Sequence, residues 1–161
     1  QNWRRMIGLD MYLTAEKYIS AYDFASDEAK ETYRNVSEAV GADEFRDKDT
    51  PTMRVIMTIG YWRKANQIHS WFVRNVQDGV DECQESYVSL EQLNALRETR
   101  LAVLADTSKA GELLPPQSGF FFGSTDIDDW YLGDLQHTVK MIDRIKEHLP
   151  EDWSINYQSS W

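Results

Sequence analysis

The stretch Gly60-Tyr61-Trp62-Arg63-Lys64-Ala65-Asn66-Gln67-Ile68-His69-Ser70-Trp71-Phe72-Val73 gathers two Trp, a Tyr, a Phe, two cations, an Asn and a His. Aromatic planes beside cations and amide groups are the chemistry that holds a flat, polar, often anionic ligand such as a nucleotide. In that reading Trp62, beside Tyr61, supplies a stacking plane and Asn66 a donor and an acceptor. His69 adds a second polar contact, and Arg63 or Lys64 a positive charge. The competing reading is structural: Trp62 and His69 pack at the edge of a core while the cations decorate a solvated face.

A second group of residues with binding chemistry follows much later, at Gln117-Ser118-Gly119-Phe120-Phe121-Phe122-Gly123-Ser124. Gly119 and Gly123 let backbone come close to a neighbour, while Gln117, Ser118 and Ser124 offer hydrogen bonds. The bland alternative is a loop pinned by its Phe anchors. Just beyond, Asp128-Asp129-Trp130-Tyr131 opens a helix. Its free N–H groups suit an acceptor, but two neighbouring carboxylates make a neutral or cationic portion of a ligand the better fit there.

Catalytic and metal chemistry find less support. His69 has the right pKa range for an acid or base, yet no nucleophile accompanies it. Neither Ser118 nor Ser124 sits in a Gly-x-Ser-x-Gly elbow. His69, His137 and His148 lack metal-ligand spacing, and Asp78, Asp81, Glu82 and Cys83 do not follow a calcium-loop pattern. No phosphate-loop or dinucleotide glycine signature occurs. The sequence therefore assigns no catalytic residue, metal or cofactor.

Composition narrows the class further. The 161 residues carry 17 Lys and Arg against 27 Asp and Glu, a formal charge of -10, which argues against direct binding to a nucleic-acid backbone. An acidic surface suits a basic protein partner, mimicry of a nucleic-acid duplex, or simply solubility. A single cysteine, Cys83, excludes an intrachain disulfide and points to a reducing compartment. No apolar run approaches the ~20 residues that span a bilayer, so no membrane association and a cytosolic setting are expected.

The elements that must position these groups can be read from periodicity. Alternation over Ile7, Leu9, Met11 and Leu13 predicts a strand near 7–14, and Met53, Val55, Met57 and Ile59 predict one near 53–60. Trp153, Ile155, Tyr157, Ser159 and Trp161 predict a third near 153–161. Ser26 caps a helix whose stripe is Ala29, Tyr33, Val36 and Val40, ending at Gly41. Residues 42–51 read as a surface loop.

A second helix is predicted from Tyr61 to about Asn75, with stripe Tyr61, Ala65, Ile68, Phe72 and Val76. Trp62, Asn66, His69 and Val73 then lie together at the margin of that stripe, with Arg63, Gln67, Ser70 and Arg74 further toward solvent. Ser89 and Gln92 form a capping box for a helix facing the core with Leu93, Leu96, Leu101 and Leu104. Residues 105–126 read as a long loop. Asp126 or Asp128 caps a last helix with stripe Tyr131, Leu135, Thr138, Ile142, Ile145 and Leu149, stopped by Pro150. The result is an α+β fold: a small, mainly antiparallel sheet covered by about four helices, as one domain over 7–161. Residues 1–6 read as a leader or expression remnant.

With these residues assembled, the chain resembles a family of small proteins encoded by bacteriophages and prophages. The likeness runs through Gly8-Leu9-Asp10-Met11-Tyr12-Leu13, Gly60-Tyr61-Trp62-Arg63-Lys64-Ala65-Asn66 with Ile68-His69 and Trp71-Phe72-Val73, and Val76-Gln77-Asp78-Gly79-Val80-Asp81. It continues through Tyr87-Val88-Ser89, Leu113-Leu114-Pro115, Gln117-Ser118-Gly119-Phe120-Phe121-Phe122-Gly123, Trp130-Tyr131 and Tyr157-Gln158-Ser159-Ser160-Trp161. The family has Met directly before the first of these glycines, whereas here Ile7 intervenes. The resemblance implies phage origin and a host-cytoplasm setting, and names no reaction.

The leading expectation is a non-catalytic binding protein that sequesters a nucleotide-like molecule to counter host defence. Its site residues are Tyr61, Trp62, Arg63, Lys64, Asn66, His69, Gln117, Ser118, Gly119, Ser124, Trp130 and Tyr131. A second expectation is an acidic inhibitor of a basic host protein such as a nuclease. A third is a small nucleotide-acting enzyme with His69 as acid or base. The aromatic terminal strand leaves self-association as a homo-oligomer open.

Overall fold

The computed structural model describes residues 8–119 and 124–161. The expectations attached to residues 1–7 and to Phe120-Phe121-Phe122-Gly123 lie outside the described residues. Along the chain run β1 (Asp10–Ser20), α1 (Asp27–Ala39), β2 (Thr52–Arg63), α2 (Asn66–Asn75) and β3 (Ser86–Val88). After them come α3 (Leu90–Ala105), the single turn α4 (Ala110–Leu113), α5 (Asp129–His148) and β4 (Ser154–Ser160). The strands form one antiparallel sheet in the order β2-β1-β4-β3, so the α+β class read from the sequence is the class of the fold.

Two compact units divide the chain: Glu16–Met57, and the remainder up to Ala15 and from Thr58 onward. In the Glu16–Met57 unit, Ser26 accepts the Ala29 N–H at 3.1 Å and starts α1, and Gly41, at φ +73°, follows its end. Ile19, Tyr33, Ser37 and Pro51 are its buried residues, whereas Val40, expected in the helix stripe, is exposed. The expected loop at 42–51 contains one 3-10 turn, Asp43–Phe45.

The larger unit holds a continuous apolar core. Met11 and Leu13 alternate inward from β1 with Leu9 just before it, Ile155 and Tyr157 from β4, and Ile68, Phe72, Leu93, Leu96, Leu135, Ile142 and Ile145 close over them from the helices. Ser89 accepts the Gln92 N–H at 3.0 Å while Gln92 accepts the Ser89 N–H at 2.9 Å, the reciprocal cap that starts α3. Asp128 caps α5 by accepting the Tyr131 N–H at 3.1 Å.

Three expectations need correction. Tyr61, Trp62 and Arg63 are not helical: β2 continues through Arg63, and the helix begins at Asn66. The reason is the partner strand. Lys64 N–H donates to Leu9 O at 2.7 Å, Arg63 Nη1 meets Asp10 Oδ1 at 2.9 Å, and the Tyr12 and Tyr61 rings lie 5.3 Å apart. Lys64, at φ +56°, then breaks the strand so that the chain can turn into α2. On α3 the buried stripe is Leu93, Leu96, Arg100 and Val103; Leu101 and Leu104 stand only at its edge. The loop expected over 105–126 includes the 3-10 turn Thr107–Lys109 and α4.

Candidate functional site

A cleft of about 380 Å³ opens in the larger unit. One wall comes from the β2–α2 junction with Arg63, Lys64, Asn66 and Gln67, and the other from the start of α5 with Ser124, Asp126, Asp128, Trp130, Tyr131 and Asp134. Six of the residues expected from the sequence therefore line one cavity: Arg63, Lys64, Asn66, Ser124, Trp130 and Tyr131.

The β2–α2 junction presents its groups because its backbone is unusual. The left-handed residue Lys64 lies between a strand and a helix that has no side-chain cap at Ala65. Residues held in that conformation concentrate at binding sites, where the surrounding structure maintains them. Gly8 helps here: at φ +151°, its missing Cβ leaves room for Lys64 Cε, which would sit 3.1 Å from a Cβ at that position. Arg63 is aimed by its ion pair with Asp10.

Asn66 joins the two sequence clusters. Its Oδ1 accepts the Gln117 backbone N–H at 2.8 Å, and its Nδ2 donates to Ser124 O at 2.6 Å. One amide thus ties both Gln117 and Ser124 to the start of α2, and the side chain itself is buried. Gln117 acts through its backbone, while Ser118 and Gly119 are exposed and outside the cleft lining.

The opposite wall is aromatic and acidic. The Trp130 side chain is 85% exposed at the cleft rim. Tyr131 is buried, and its hydroxyl donates to Leu114 O at 2.8 Å. Asp134 accepts from Gln67 Nε2 at 3.4 Å, and burial pushes its carboxyl above the usual range. The acids leave room for a donor or cation beside the aromatic plane, opposite the Arg63 and Lys64 charges.

Three expected residues stand elsewhere. Trp62, 2% exposed, points into the core, donates its indole N–H to Thr138 Oγ1 at 2.8 Å and meets Phe72 edge-on at 5.8 Å. As the inward residue of a strand it has no face left for a ligand. His69 is fully buried between Tyr157 and Asp81, with Nδ1 2.6 Å from the Tyr157 hydroxyl and Nε2 3.0 Å from Asp81 Oδ1. Tyr157 stacks on Phe72 at 3.9 Å, so this relay ties α2 to β4 rather than opening on the cleft. Tyr61 donates to Asp10 Oδ1 at 2.5 Å and lines a different groove, of about 470 Å³, with His137, Lys140 and Arg144.

Sequence reading missed Gln67, Asp126, Asp134 and the buried Arg100 as members of this region. Asp134 could have been found: it lies one helical turn after Trp130 and Tyr131, on the same side of α5. A single apolar stripe on α2 puts Gln67 toward solvent, whereas the helix is enclosed around most of its circumference, Gln67 included. Among the described residues, no helix is long and apolar enough to cross a membrane. No protein-family profile, curated protein or solved structure matches the chain.

Proposed function

We propose that this protein binds a nucleotide-like small molecule in the cleft between the β2–α2 junction and the start of α5. The observation that carries the reading is the convergence of Arg63, Lys64 and Asn66 with Ser124, Trp130 and Tyr131, from distant parts of the chain, on one cavity of about 380 Å³. That size is ordinary for a small-molecule site, ~300–1,000 Å³. Arg63 and Lys64 draw the anionic end of the ligand to the cleft. Trp130 offers a solvent-facing indole on which a base stacks. Asp126, Asp128 and Asp134 accept from hydroxyl or amino groups, which a purely apolar ligand lacks.

The role is sequestration rather than turnover. The one side chain with acid–base chemistry singled out in the sequence, His69, is engaged with Tyr157 and Asp81 in the interior and does not line the cleft. Together with the resemblance to phage-encoded proteins, this supports capture of a nucleotide-like signal in a host cytoplasm as a counter to host defence. Calorimetric titration with mono-, di- and cyclic nucleotides tests it, with intrinsic Trp fluorescence as a second readout. Binding is expected to quench Trp130 and to weaken in Arg63→Ala and Lys64→Ala. A wild-type protein that responds to none of these nucleotides would remove the reading.

A further inference from the structure

Helix α3 carries a cation where its neighbours are apolar. Leu93, Leu96, Arg100 and Val103 form its buried stripe, and Arg100 is completely enclosed. None of its Nε, Nη1 or Nη2 atoms has a hydrogen-bond partner among the described residues. A guanidinium presents five N–H donors, and one that serves only the fold is normally bonded to carbonyls or a carboxylate. Burial lowers the Arg100 pKa to about 9, which still leaves it charged at neutral pH.

The groups whose charge reaches Arg100 are Tyr131 and Asp134, and both line the cleft. Neither is bonded to it: the Tyr131 hydroxyl goes to Leu114 O and the Asp134 carboxylate faces Gln67. Arg63, the other guanidinium of the region, is already paired with Asp10. The strongest unanswered demand for an acceptor near the cleft therefore comes from Arg100. Arg100 does not itself line the cleft; it lies on α3, which packs against the helix that carries Tyr131 and Asp134.

Resting on the reading of the cleft as a nucleotide-type site, we propose that Arg100 is the buried anchor for the ligand's phosphate group, which reaches it past Tyr131 and Asp134. The phosphate oxygens supply the acceptors that the guanidinium lacks, and the fold tolerates an unpaired interior cation because the ligand completes it. The selectivity that follows is for phosphorylated over unphosphorylated ligands of the same base.

The test compares AMP, adenosine and inorganic phosphate on the wild type, Arg100→Met and Arg100→Lys, by calorimetry and thermal shift. Arg100→Met keeps the volume and removes the charge. It is expected to raise the Tm of the free protein, weaken AMP by about 10- to 100-fold and leave adenosine unchanged. AMP binding equal to wild type in Arg100→Met overturns the anchor while leaving the cleft reading intact. Should that variant not fold, weaker AMP binding with unchanged adenosine binding in Arg100→Lys supports the anchor, and equal AMP binding overturns it. If the wild type binds neither AMP nor adenosine, the nucleotide reading fails and phosphate alone decides. A Tm rise over chloride at matched ionic strength, absent in Arg100→Met, keeps the anchor; no such rise in the wild type ends it.

Discussion

Trp62 and Trp130 look equivalent as letters and are opposite as side chains. Trp130 stands in solvent at the cleft, so Trp130→Ala is expected to change folding stability by less than about 0.5 kcal/mol. The same change should weaken a stacked nucleotide by about 1–3 kcal/mol. Trp62→Ala empties a core position and is expected to cost about 3–5 kcal/mol of stability. Urea denaturation beside ligand titration separates the two, and a Trp130→Ala protein that binds like wild type speaks against stacking. His69→Ala removes a fully buried ring and leaves Tyr157 without its 2.6 Å partner. It should cost about 2–4 kcal/mol, while a nucleotide, if bound, keeps its affinity. A loss of binding with unchanged stability would reverse that assignment.

At the scale of elements, β2 and α5 depend on a residue with no side chain. A Cβ on Gly60 would overlap the sulfur of Met141, which lies on the buried side of α5. Gly60→Ala is therefore expected to destabilise by about 1–3 kcal/mol through overpacking. The cost should shrink in a Met141→Ala background, because the clash is with that one flexible side chain. A double-mutant cycle on unfolding free energies measures the coupling; strict additivity would place the strain elsewhere. The capping box of α3, by contrast, is local, and Ser89 with Gln92 is legible in sequence because both bonds close within one turn.

For the molecule as a whole, burial is uneven, and the uneven parts should behave differently. The Glu16–Met57 unit exposes Phe24, Phe45, Val40, Ile56 and Met57 and buries few side chains, whereas the larger unit holds the apolar core. Backbone amides of α1 are expected to exchange with solvent faster than those of α3 and α5. Equal protection across all three helices in a hydrogen-exchange experiment would contradict this. Stability should also carry the signature of Arg100. Its folded pKa is lowered to about 9, well below that of a free guanidinium, so above that pH the unfolded chain binds the extra proton. The penalty of its burial is fully present below pH 9 and is relieved as pH rises above it. The stability advantage of Arg100→Met over wild type is thus expected to be constant near neutrality and to narrow from pH 9 upward. Parallel urea titrations at pH 7 and pH 10 read this difference, in which the alkaline ionisation of tyrosines cancels.

What the sequence by itself determined were features closed by near neighbours. The caps at Ser26, Ser89 and Asp128, the alternation in β1 and β4, the α5 stripe and the α+β class follow from periods of two and 3.6 residues and from bonds three residues long. The chemical make-up of the cleft was also legible, since Arg63, Lys64, Asn66, Ser124, Trp130 and Tyr131 were chosen by type. Only the tertiary structure decided whether residues 61–63 follow the strand behind them or the helix ahead. Leu9 and Asp10, some fifty residues away, supply the hydrogen bonds and the ion pair that settle it, and Trp62 turns inward as a result. The same holds for Arg100: its spacing marks a core position, its charge marks a surface one, and α5 packed over α3 leaves the guanidinium inside.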